Sequence, residues 1–241
     1  MPRLAAPTVL IACAASLLAA PAVAAAGPQL PPGADAPPEL PPGVVVAENP
    51  KLSSDVGQGG GGLVASAAKR PDAGEEVRPF WATVNVCDTK DSPNALGVRT
   101  SVPGNGTNQR IFARYTAQWW SGAKQEWLTV AGSGVTDWLF IGTADMTTRQ
   151  AGWTFRFVQP EAGTTYVMRG IVELQWRDPT RAARRLGRRA TRLTRRQRVR
   201  RAHRAQRAAL VRTRTLLTKT GMKHVQGGDP AGLSKAMCLI W

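Results

Sequence analysis

Only two histidines and three cysteines occur in the 241 residues. Histidine-based metal sites and histidine-centred triads therefore have almost nothing to work with. A disulfide-dense miniprotein is excluded as well. Acids are scarce: 16 Asp and Glu stand against 32 Lys and Arg, a formal net charge of +16. Mean hydropathy is −0.22, and the one long apolar run lies near the amino terminus, which excludes a multi-span membrane protein. No Gly-x-Ser-x-Gly elbow and no phosphate-binding glycine loop is present. These absences lead us to expect a non-enzymatic protein with no cofactor, no metal and no catalytic residues. Aromatic residues make up 6% of the chain, and none precedes Phe80.

What is there begins with an export signal over residues 1–26. Met1-Pro2-Arg3 supplies a cationic start, Leu4 to Ala20 is apolar and uncharged, and Pro21-Ala22-Val23-Ala24 has the small-x-small pattern. Cleavage after Ala24 or Ala26 and a secreted or cell-surface location are expected. The same residues allow two alternatives, an uncleaved anchor and a lipoprotein box at Leu10-Ile11-Ala12-Cys13. Once Cys13 is cleaved away, Cys87 and Cys238 remain, and an oxidising compartment favours a bond between them over two free thiols.

Residues 27–78 form the next region, rich in Pro and Gly and without Phe, Trp or Tyr. Such a composition buries too little apolar surface to offset its ordering entropy, so a disordered linker is expected. A short strand at Gly43-Val44-Val45-Val46 is the one ordered element it allows. The core must lie within residues 79–241, where the pattern is mostly period two. Ile111, Ala113, Tyr115, Ala117 and Trp119 alternate with polar or outward positions, as do Trp153, Phe155 and Phe157. Strands are predicted over 79–87, 96–102, 111–119, 125–131, 137–142, 153–157, 166–177 and 235–241. This number and spacing argue for an all-β antiparallel sandwich.

The segment Pro160-Glu-Ala-Gly-Thr-Thr-Tyr-Val-Met-Arg169 resembles the approach to the sixth strand of fibronectin type III and related immunoglobulin-like domains. The chain as a whole is similar to small exported immunoglobulin-like proteins of high-GC bacteria. The resemblance implies an immunoglobulin-like β-sandwich in which Tyr166 is structural. Its ring would fill the core and its hydroxyl would bond back to the backbone. Residues 179–231 are then a basic, helical insertion before the last strand.

That insertion carries the charge. Residues 181–219 hold 15 Arg, one Lys and no acid, while the rest of the chain balances at 16 basic and 16 acidic residues. A localised basic field attracts polyanions. The partner classes expected are a cell-wall polymer, nucleic acid or an anionic lipid surface. The candidate contacts are Arg184, Arg185, Arg188, Arg189, Arg192, Arg195, Arg196, Arg200 and Arg201. Helix-favouring Ala, Leu, Arg and Gln fill the tract, with Leu186, Ala190, Leu193 and Gln197 on one face and Leu210, Thr213 and Leu217 on another. A carbohydrate-binding module using exposed rings among Trp119, Trp120, Trp127 and Trp138 is the alternative, beside a purely structural domain. A hydrolase built on Glu126, Asp137 and Glu173 has no legible pairing of roles. His203 and His224 are expected to be solvated.

Overall fold

The computed structural model describes residues 30–53, 80–186, 194–223 and 225–241. The expected signal (1–26) and the glycine-rich half of the expected linker lie outside the described residues. Seven strands come first: β1 (Trp81–Cys87), β2 (Ala95–Val102), β3 (Arg110–Ser121), β4 (Glu126–Thr129), β5 (Leu139–Thr143), β6 (Arg149–Arg156) and β7 (Tyr166–Arg177). Two helices follow, α1 (Pro179–Leu186) and α2 (Arg195–Ala209), then β8 (Leu210–Leu217) and β9 (Met237–Ile240). The class is all-β, and the named strands pair antiparallel throughout.

There are two sheets. One has the order β1-β2-β6. The other is centred on the long β3–β7 pair, with β4 and β5 along the free edge of β3 and β8 and β9 along the free edge of β7. Their alternating residues meet in one core. Tyr115, Met168, Leu174 and Trp176 from the larger sheet pack with Val84, Leu96, Val98 and Phe155 from the smaller. Each fully buried side chain of this kind contributes about 1.5–3 kcal/mol. Gly170 marks a close approach of the two sheets, because a Cβ there would sit 2.4 Å from Val98 Cγ2.

Every predicted strand has a counterpart, and one strand was not anticipated. The span expected as a basic, helical insertion, 179–231, contains β8, which pairs with β7 from Ile171↔Leu217 to Arg177↔Leu210. Leu210, Thr213 and Leu217 therefore belong to a strand and not to a helix face. The β-branched residues Val211, Thr213 and Thr215 fit a pleated edge, and the free edge of β7 decides the matter. After β8 the chain crosses to the outer edge of β1. The Lys219 amide donates to the Ala82 carbonyl, Lys235 bridges to Val84 and Asp229 bridges to Val86. An edge that could have templated aggregation is thereby covered. Cys87 and Cys238 are joined in a disulfide, with Cα atoms 5.3 Å apart, which ties β1 to β9.

The expected linker also departs from expectation in its first half. Residues 30–53 are laid on the sheets, with Val46 bridging to Thr165 and Leu52 to Phe157. The Glu48 carboxylate accepts from Ser121 Oγ at 2.8 Å and from the Ala123 amide at 3.1 Å. Backbone and carboxylate bonds add to the apolar contacts of Ala47 and Leu52 with the core, and an argument from composition alone does not count them.

Candidate polyanion-binding surface

The insertion springs from the β7 end. Asp178 starts α1: its carboxylate accepts the Thr180 amide at 2.8 Å, and Pro179 occupies the first helical position. Thr194 starts α2 through a capping box with Gln197. Helix α2 carries Arg195, Arg196, Arg198, Arg200, Arg201, Arg204 and Arg207 in 15 residues. Among its described side chains Ala205 and Ala209 are the buried ones, at 2% exposure each, so its apolar anchorage is small.

Of the predicted contacts, Arg184 on α1 and Arg195, Arg196 and Arg200 on α2 are exposed, and Arg201 is half-buried. Arg185 falls on α1. Arg188, Arg189 and Arg192 lie outside the described residues, as does His224. Arg195, Arg196, Val199 and Arg200 line an open hollow of about 490 Å³. Among the described residues no carboxylate forms an ion pair with those three arginines. His203 is exposed on the same helix.

The sequence reading missed a second basic cluster, on the outer face of the larger sheet at the end from which the insertion leaves. Arg110 and Arg177 sit directly opposite each other on β3 and β7. The Arg110 guanidinium contacts two rings, 4.5 Å from the Phe140 centre and 5.6 Å from that of Phe112. The Arg177 guanidinium lies 4.1 Å from the Phe112 centre and 5.5 Å from that of Trp138. Arg114 stacks on Trp138 at 4.8 Å and pairs with Glu173 at 2.6 Å. Rings and guanidinium groups thus alternate along the face. Burial lowers the Arg177 pKa, and the adjacent Arg110 charge lowers it further. Arg177 Nε and Nη2 are turned to Gln175 Oε1, at 3.0 and 2.7 Å. The signal was present in the alternation itself, since positions 110, 112 and 114 on β3 and 177 on β7 are the outward ones.

The tryptophans named for sugar binding are occupied by their own chain. Trp119 and Trp120 are 5% and 3% exposed, on opposite faces of β3. Trp127 packs edge-on against Trp120, carries the Arg169 guanidinium 4.1 Å above its ring and donates to the Ala36 carbonyl. Arg169 also donates to Gln118 Oε1 and the Ala34 carbonyl, and burial pushes its pKa down to about 10. Trp138 has arginines on it, as described. The carboxylates named for hydrolysis are no better placed: Glu173 is paired with Arg114, and Glu126 and Asp137 are exposed on separate segments.

Cys87 and Cys238 come together as expected. The Tyr166 ring is in the core, and burial, with the Glu161 charge second, raises its pKa. A hydrogen bond from its hydroxyl to the upstream backbone is not among those made by the described residues. No protein-family model, no curated protein and no solved structure matches this chain.

Proposed function

We propose that the chain is an exported immunoglobulin-like module that holds an anionic polymer without catalysis, chiefly through the arginine-covered α1–α2 hairpin. The single observation that carries this reading is α2 itself, whose arginines spread over its surface with no acid in its first turn and no described carboxylate paired to Arg195, Arg196 or Arg200. Such a helix gains little from its own charges, because the acidic partners that usually sit three or four residues away are missing. A polyanion supplies them. Arg184, Arg195, Arg196, Arg200 and Arg201 are the contacts among the described residues, and Arg185, Arg188, Arg189 and Arg192 extend the set.

The order β1-β2-β6 facing a sheet centred on β3 and β7 supports the immunoglobulin-like assignment. The amino-terminal signal pattern and the disulfide support export. Binding proceeds by counterion release, so affinity falls steeply with salt and depends little on polymer sequence. The test replaces residues 179–209 with a short Gly/Ser turn, which keeps β8 because Arg177 and Leu210 are already paired. The shortened protein should keep its disulfide and cooperative melting and lose polyanion binding. Retained binding with an unchanged salt slope would assign the function elsewhere.

A further inference from the structure

We infer that the polymer is a single-stranded polynucleotide, and that Phe140 with Arg110 forms the subsite that takes one base and its phosphate. This inference rests on the polyanion reading above and narrows it. Phe140 ends the alternating row of rings and guanidinium groups, and it is 40% exposed although it lies on a strand. One side of the ring is engaged by Arg110 at 4.5 Å. The exposed remainder is an open stacking surface beside a cation.

Arg110 is exposed and forms no ion pair with a described residue. Both rings lie within cation–π distance of its guanidinium, and with no described acid paired to it the planar donor set is available to grip a phosphate through two bonds. A chain that alternates flat π-systems with phosphates matches a surface that alternates rings with cations. Phe112 and Phe140 are tilted by 55° to each other, so they do not present the coplanar platform that a run of sugar rings requires. A duplex does not fit either, because its bases are already stacked and only one ring here is open. Single strands, whose bases splay individually, need no more than one such ring. The α1–α2 hairpin begins two residues past Arg177 and carries the strand's remaining phosphates.

The experiment measures fluorescence anisotropy of a labelled thymidine oligonucleotide of about fifteen nucleotides on the full chain, with base-free inorganic polyphosphate as competitor. Phe140→Ser should weaken oligonucleotide binding about tenfold and leave polyphosphate competition unchanged. Phe140→Trp should restore binding, with its fluorescence quenched by the oligonucleotide. Arg110→Gln should weaken both probes. Matched melting curves and an intact disulfide establish that the variants fold. If Phe140→Ser binds both probes as the parent does, the base subsite is overturned while the polyanion reading stands. If it weakens both equally, Phe140 acts only through Arg110, and the inference again falls. If the unaltered chain binds neither probe, both readings fall together.

Discussion

Arg110 and Arg177 repel each other across the β3–β7 pair, and like charges directly opposite are destabilising in a sheet. Phe112, Phe140 and Trp138 offset that cost, each guanidinium–ring contact at such a half-exposed site contributing about 0.5–1 kcal/mol. Among the described residues, Glu173 is the acid joined to this cluster by an ion pair, through Arg114 at 2.6 Å. It compensates the folded protein and opposes an incoming polyanion. Glu173→Gln is therefore expected to tighten polyanion binding by roughly two- to fivefold and to steepen the salt slope by up to about one phosphate's worth. A salt titration of the two proteins checks this, and unchanged affinity would place the polymer away from the sheet face. At this scale the sequence was half-legible. Alternation told which side chains point outward, but not that Arg110 and Arg177 share a ring, because strand register depends on the fold.

Among the elements, the β7–β8 hairpin links structure to proposed function. Its pairing runs from Ile171 to Arg177 with one register shift between Trp176 and Arg177, so the helices grow from the far end of the ladder, next to that irregularity. Strand β8 was unreadable in isolation, since leucines at 210 and 217 suit a helix while Val211, Thr213 and Thr215 suit a strand. Only the vacant edge of β7 distinguishes the two. Residues 30–53 escaped recognition for a related reason: their partners are the backbone of Thr165 and Phe157 and the loop after Ser121, distant in sequence. The core strands, by contrast, declared themselves through large apolar residues at every second position. At Gly170 their packing has no slack. Gly170→Ala is expected to cost about 1–3 kcal/mol, and adding Val98→Ala should recover part of that loss, because the new methyl group collides with Val98. Urea unfolding of the single and double variants tests this. Additive losses would show that the two sheets do not meet there.

For the whole molecule, the disulfide is the dominant single constraint. Its cysteines are 151 positions apart, and on the chain-entropy account closing so long a loop contributes about 5 kcal/mol. Cys87→Ser with Cys238→Ser should therefore lose about 2–5 kcal/mol, read as a lower urea midpoint. An unchanged midpoint would mean that the pairing of β9 with β7 closes the fold unaided. Two cysteines left beyond the signal made their pairing a sound expectation, but their number did not reveal the route between them. That route contains β2 through β8 and the whole basic insertion, with β1 and β9 locked together at its ends. A pull applied between β1 and Trp241 is thus borne by the covalent bond and not by the ladders. The proposed polymer-holding surface lies inside the closed loop and is shielded from that tension.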